Sequence, residues 1–253
     1  MPSLDRKVAI VTGGARGIGR ACAHALAAQD HAIALVDLLV PEMERTCGEI
    51  EEMGVPCRIF EGDVAEHARA REIAREVMES WGRIDVLVNN AGRPMPTGIL
   101  ELTEEQWDRT LEINLKSCFN YIQAVAPAML ERGFGRIVSM SSLNAHSGGV
   151  TAAVSKVAYA AAKAGIIGMT RALAKELGPQ IAINCVCPGL IKTELTMKNP
   201  VIAAREPELI KGIALGRCGT TRDVGELVAF LATAENMFIT GQDITIDGFQ
   251  WNR

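Results

Sequence analysis

"VTGGARGIGRACAHAL", residues 11–26, decides the fold. A β-branched apolar run, "KVAIVT" (7–12), leads into it, and a run of helical period leads out. Between them Gly13, Gly17 and Gly19 stand in a TGxxxGxG spacing. Glycine permits the tight turn of such a junction and lets a pyrophosphate approach the backbone. The helix that opens there presents free N–H groups and the positive end of its dipole. Arg16, Gly17, Ile18 and Gly19 therefore form the expected phosphate cradle. A glycine-rich turn alone says little. Here it follows the first strand, opens a helix and starts a strand–helix–strand unit, the context in which this spacing holds a dinucleotide.

Outward from the loop the same rhythm repeats. Strands are expected at 7–12, 32–36, 57–60, 84–88, 136–140, 181–187 and 243–247. Helices are expected near 17–29, 41–53, 66–81, 104–131, 155–177 and 222–233. Short, nearly continuous apolar strands alternating with longer helices imply a parallel sheet covered on both faces. With right-handed crossovers this is an α/β doubly wound Rossmann fold of about seven parallel strands, one domain over 1–253. Residues 190–216 break the rhythm: long and mixed, they follow a strand's carboxyl end and are expected to form a small substrate lid of one or two short helices.

Asp37 ends the second strand in "ALVDL", 18 residues past Gly19. An acid there binds ribose hydroxyls of an adenosine and repels a 2′-phosphate. Arg16 argues the other way, because a loop arginine can reach that phosphate. The nearer carboxylate decides for NAD rather than NADP.

Composition excludes other classes. Hydrophobic residues make up 48% and charged residues 22%, enough for a large core and a polar surface. The 26 Lys and Arg stand against 30 Asp and Glu, and no basic tract occurs, so nucleic acid is not an expected partner. No signal peptide and no membrane span are read. The seven cysteines are scattered, and reduced core thiols in a cytoplasm are expected. Neither Cys185 and Cys187 nor the four histidines show ligand spacing, so no metal is expected.

"VAYAAAKAG", residues 157–165, puts Tyr159 one helical turn before Lys163. The surrounding alanines favour helix and keep both groups on one face. A free phenol has a pKa of about 10. An ammonium about 5 Å away, at an effective dielectric of about 20, favours phenolate over phenol by about 3 kcal/mol. The pair can thus give and take the proton that accompanies hydride transfer at a carbinol carbon.

With these pieces in order, the chain resembles the short-chain dehydrogenase/reductase family over nearly its whole length. The matching stretches are "TGGARGIG" (12–19), Asp37, "GDV" (62–64), "NNAG" (89–92), Asn114 in "INL", "SMSS" (139–142), "YAAAK" (159–163), Pro188 and Gly189 with Thr193 following, and "ITGQDITIDG" (239–248). The resemblance implies that Asp63 and Val64 hold the adenine, and that Asn90, Ala91 and Gly92 line the middle of the coenzyme. It implies that Ile191 and Thr193 meet the nicotinamide amide, and that Lys163 also holds the nicotinamide ribose. Asn114, Ser142, Tyr159 and Lys163 are then the catalytic tetrad, with Asn114 binding a water near Lys163 inside the 104–131 helix. Ser142 is expected to steady the reacting oxygen. It stands 17 residues before Tyr159, about four more than the family's usual spacing, with the extra length in "NAHSGGVTAAVSK". That leaves Ser141 as its rival for the site.

Arg93, Asn144, His146, Glu194, Met197, Lys198 and Trp251 are candidates for the substrate wall. Their polarity points to a small secondary alcohol of sugar, polyol or hydroxy-acid type, oxidised with NAD. A second reading, also from the resemblance, is a 3-oxoacyl thioester reductase, an activity that usually goes with NADPH. A third is a catalytically silent NAD-binding regulator or scaffold, against which the intact tetrad argues. The resemblance further implies a homotetramer built through 104–131, 155–177 and 243–247.

Overall fold

Burial along each strand fixes its place in the sheet. β1 (Val8–Thr12) is buried throughout, and β2 (Ala32–Asp37) nearly so. β3 (Cys57–Glu61) is only partly covered, with Arg58 and Glu61 exposed, and stands at the sheet edge. β4 (Val86–Asn89), β5 (Gly135–Met140) and β6 (Ile181–Pro188) are again buried, while β9 (Asp243–Ile246) is only half covered. The computed structural model describes residues 5–148, 155–197, 200–234 and 238–250, and in it these seven strands form one parallel sheet in the order β3-β2-β1-β4-β5-β6-β9. The order reverses between β1 and β4, so their carboxyl ends open a crevice.

The helices cover both faces, which matches the expected doubly wound fold. They are α1 (Gly17–Ala27), α2 (Val40–Glu52), α3 (His67–Trp81), α4 (Glu104–Leu111), α5 (Ser117–Arg132), α6 (Asn144–Ser147), α7 (Val157–Glu176), α8 (Glu194–Met197), α9 (Pro200–Lys211) and α10 (Thr221–Thr233). One core layer joins Ile10, Leu87, Tyr121, Met129 and Ile166; the other joins Leu26, Leu35, Met43, Val88 and Val228.

Three local features depart from the expected elements. The single helix expected over 104–131 is two helices joined by a π turn, Glu112–Lys116, with Asn114 at its centre. A Thr103 capping box with Gln106 starts the first of them. The second departure is α6, a one-turn helix directly after Ser142. In the third, the 190–216 segment carries α8 and α9 as expected but is anchored at its base by an unexpected strand, β7 (Ile191–Lys192), which pairs with β8 (Gly219–Thr220). Residues 149–154, within the expected insertion, and the candidates Lys198 and Trp251 lie outside the described residues.

Candidate active site

The glycine loop turns because its glycines do what other residues resist. Gly13 and Gly17 take φ of +64° and +60°. A Cβ on Gly19 would lie 2.0 Å from the Gly13 carbonyl oxygen, so α1 and the loop can meet only through glycine. Crosslinks to β4 hold the turn. The Asn90 amide donates to the carbonyls of Thr12 and Gly13, each at 3.1 Å. The Thr12 hydroxyl accepts the N–H groups of Asn90 and Ala91 at 3.1 and 3.2 Å. Asn90 is thus a strut of the loop, and Thr12, a structural partner that sequence reasoning passed over, is its counterpart.

Asp37 sits above the same loop. One carboxylate oxygen accepts the N–H groups of Leu38 and Leu39 at 2.8 and 3.2 Å, and the other accepts that of Ala15 at 3.2 Å. Its negative charge is fixed beside the loop by backbone donors, whereas Arg16 is exposed at the start of α1. Gly17 faces Thr193, whose side chain would be in van der Waals contact, at 3.9 Å, with a Cβ placed on the glycine. A loop that only glycine can build, a helix N-terminus, an acid at the end of β2 and Thr193 opposite fit a dinucleotide coenzyme.

Asp63 and Val64 lie on the far wall. Asp63 accepts from Ala65 N–H at 2.9 Å and pairs with Arg109 at 2.5 Å. Burial pushes its carboxyl up, but the Ala65 N–H and the Arg109 guanidinium outweigh it and leave the group below its ordinary value. Val64 is buried, and its carbonyl accepts from Asn120 at 2.9 Å. Arg109 and Asn120 carry no sequence signal here, because both act across long stretches of chain.

At the crevice centre three segments converge on Gly92. A Cβ there would lie 2.9 Å from Asn114 Oδ1 and 3.4 Å from Lys163 Nζ. Lys163 is 3% exposed, donates to the Met140 carbonyl at 2.7 Å, and sits 5.5 Å from the ring centre of the half-buried Tyr159. The Asn114 amide donates to the carbonyls of Arg93 and Thr110, both at 3.0 Å, and its oxygen accepts the Arg93 N–H at 3.0 Å. The π turn is what points Asn114 inward against residues 92–93. Met140 was a strand residue in the sequence; that its carbonyl grips Lys163 depends on β5 meeting α7.

The two serines separate. Ser141 is buried and donates to the Lys163 carbonyl at 2.8 Å, so it props α7. Ser142 is half-buried, and its oxygen accepts the Asn144 N–H at 3.2 Å. The remaining candidates spread out. His146 Nε2 faces Asp243 at 3.2 Å, and Arg171 holds the same carboxylate at 2.6 Å, so the imidazole engages β9. The Asn144 amide donates to Ser155 at 3.4 Å. Arg93 is exposed with its backbone bound to Asn114, and Glu194 is exposed at the start of α8. Ile191 is buried in β7. Leu143 N–H donates to the Pro188 carbonyl at 2.9 Å, and Gly189 N–H donates to Ile246 at 3.0 Å. Gln250 steadies this corner by accepting the Leu190 N–H at 3.2 Å. Among the described residues no cluster of His, Cys, Asp or Glu could hold a metal, and no helix is long and apolar enough to cross a membrane.

A doubly wound sheet whose switch point carries a fitted dinucleotide loop beside a Tyr–Lys pair defines an oxidoreductase. A family model described as Enoyl-(Acyl carrier protein) reductase matches residues 13–248. The 3-oxoacyl-[acyl-carrier-protein] reductase FabG of Thermotoga maritima is 38% identical over 97% of this chain and 98% of its own. A solved structure titled a putative short-chain alcohol dehydrogenase, from Sinorhizobium meliloti, superposes with a TM-score of 0.91 at 31% identity, covering 99% and 98% of the two chains. The NADPH-dependent 3-quinuclidinone reductase of Rhodotorula rubra gives a TM-score of 0.90 at 28% identity, covering 99% and 93%. The chain belongs to the short-chain dehydrogenase/reductase family.

Proposed function

We propose that the chain interconverts the ketone of a 3-oxoacyl thioester and its secondary alcohol, with Tyr159 as general acid and base and NAD(H) as coenzyme. The convergence of Asn114 and Lys163 on Gly92, with Tyr159 beside Lys163, carries the reaction class. The name of the Thermotoga maritima relative, a 3-oxoacyl-[acyl-carrier-protein] reductase, supports the substrate class, and the family model's description shares with it the acyl carrier protein. Asp37, fixed above the glycine loop, supports NAD(H) against the NADPH of the Rhodotorula rubra reductase.

A nicotinamide coenzyme bound along the crevice supplies or accepts the hydride. The chain's own residues handle the oxygen and the proton. The Ser142 hydroxyl donates to the reacting oxygen and steadies its developing charge. Tyr159 gives its proton to that oxygen in reduction and takes it back in oxidation. Lys163, buried and positioned by the Met140 carbonyl, favours the phenolate and so makes the return step possible. Asn114 fixes residues 92–93 against α7 and keeps the floor of the site rigid. Ile191 and Thr193 border the nicotinamide end, with residues 190–216 closing over the substrate.

A second reading, oxidation of a small polar secondary alcohol with the same coenzyme, is favoured by the polar Asn144 beside Ser142. Coenzyme oxidation with acetoacetyl-coenzyme A, set beside NADH formation with a panel of polyols, sugar acids and hydroxy acids, decides between the two. Turnover of the thioester supports the first reading. Turnover of an alcohol without the thioester replaces it with the second. Failure of both with an intact fold favours a silent coenzyme-binding regulator.

The seven free, buried cysteines support a cytoplasmic setting. Exposed Phe119 on α5, Val157 on α7 and Phe249 beyond β9 support assembly as a homotetramer through those elements. Sedimentation at the 27.2 kDa of one chain would overturn the tetramer.

A further inference from the structure

Away from the crevice, two thiols meet at the other end of the sheet. Cys47 lies on α2 and Cys57 begins the edge strand β3. Ten residues apart in sequence, they line one open cavity of about 620 Å³. Both are largely covered, at 9% and 7% exposure, but the cavity brings small molecules to them. The other cysteines differ. Cys22, Cys185 and Cys187 have no exposure, Cys118 has 2%, and Cys218 stands alone.

We propose that Cys47 and Cys57 form a modification site, a dithiol that a small cationic disulfide converts into an intramolecular disulfide. The two thiols already touch. The Cys57 S–H donates to the Cys47 sulfur and holds Cys47 below its ordinary value, outweighing burial and the nearby Glu51. Cys57 is pushed up by the same contact and by burial. We assign Cys47, the more exposed of the two and on the helix side of the cavity, as the attacking thiol and Cys57 as the resolving thiol. Cys47 attacks the small disulfide R–S–S–R, forms a mixed disulfide and releases one thiolate RS⁻. Cys57 then loses its proton and attacks the Cys47 sulfur, which forms the Cys47–Cys57 bond and expels the second RS⁻. Two electrons pass from the protein thiols to the reagent, and their two protons end on the released thiols or in solvent.

Charge selects the reagent. Glu44, Glu51, Glu61 and Glu76 line the cavity. Of its two arginines, Arg69 is committed to Glu76 and Glu72, while Arg58 donates to Ser80. The surplus of carboxylates attracts cations and repels anions.

The site also bears on the glycine loop. Thr46, next to Cys47, donates its hydroxyl to the Ala15 carbonyl at 3.0 Å, and Glu49 on the same helix grips Arg20 of α1. A crosslink that shifts α2 pulls on the loop, so crosslinking is expected to weaken coenzyme binding. This consequence rests on the coenzyme reading above; the crosslink does not.

The test treats the reduced full-length protein with cystamine and follows intact mass and peptide maps. The expected product lacks two hydrogens, links the peptides of Cys47 and Cys57, and reverts with dithiothreitol. The anionic 3,3′-dithiodipropionate should react about tenfold more slowly or less. Cys57→Ser should stop at a stable cystamine adduct on Cys47, and Cys47→Ser should give neither product. No reaction, a link between other cysteines, or equal rates with both reagents would overturn the proposal. NADH affinity should fall about fivefold or more in the crosslinked form. Unchanged affinity would sink the connection to the loop. If neither form binds a dinucleotide, the coenzyme reading fails while the crosslink stands.

Discussion

Two tyrosines are all the chain has, and they occupy opposite kinds of surroundings. Tyr121, on α5, is fully enclosed by the core, and its hydroxyl meets no hydrogen-bond partner among the described residues. Burial pushes its phenol well above the ordinary value. Tyr159, on α7, is half-buried at the crevice with an enclosed ammonium 5.5 Å from its ring centre. The same side chain is a packing element in one region and, in the proposed function, the acid–base group in the other. What separates them is access and a cation, which position supplies and residue type does not.

The sharpest way to break that contrast is Tyr159→Phe. It removes one oxygen from a half-exposed site, so folding should be unaffected. Turnover should fall about 10²–10⁴-fold, the range a general acid–base group supplies. Coenzyme binding, followed by NADH fluorescence, should persist. Turnover within tenfold of the parent would show that the phenol does not move the proton.

Lys163→Met tests the cation itself. Losing an interaction of about 3 kcal/mol should lower turnover about 100-fold. It also leaves the buried Met140 carbonyl without its donor, at a cost of about 1–3 kcal/mol in stability. Chemical denaturation reads the second effect separately. Loss of stability with full turnover would reduce Lys163 to a structural lysine.

Asp37→Asn leaves the Tyr–Lys side untouched and probes the opposite end of the crevice. Removing the fixed negative charge should move the ratio of kcat/KM for NADH over NADPH toward NADPH by about tenfold or more. Turnover at saturating NADH should change little. An unchanged ratio would mean that the carboxylate does not choose the coenzyme.

How far the sequence could be read follows the same divide between local and distant causes. The glycine loop was legible because positive φ and close backbone approach demand glycine at set positions, as at Gly13, Gly17 and Gly19. Tyr159 and Lys163 were legible because helical spacing alone puts them on one face. The strands announced themselves by continuous apolar runs, and their burial then sorts centre from edge. The π turn at Asn114 was not legible: the 104–131 pattern reads as one helix, and Asn114's partner Arg93 lies 21 residues away on another segment. Nor was the fate of His146, whose partner Asp243 lies on a strand almost 100 residues away. The grip of the Met140 carbonyl on Lys163 and the pairing of Asp63 with Arg109 are likewise made by the tertiary fold.

Tyr121→Phe is the smallest expected effect and the control that gives the others meaning. Its hydroxyl is desolvated without a compensating partner, and leaving such a group buried costs about 1–3 kcal/mol. Phenylalanine keeps the ring and its contacts with the core layer that includes Ile10, Leu87 and Met129. The variant should therefore match the parent in stability or exceed it by about 1 kcal/mol, and turn over at the parent rate within about twofold. The expectation runs against the habit of treating every tyrosine in such an enzyme as a candidate acid. If this variant lost activity as Tyr159→Phe does, with its melting curve intact, access and a neighbouring cation would no longer distinguish the working phenol from the packed one.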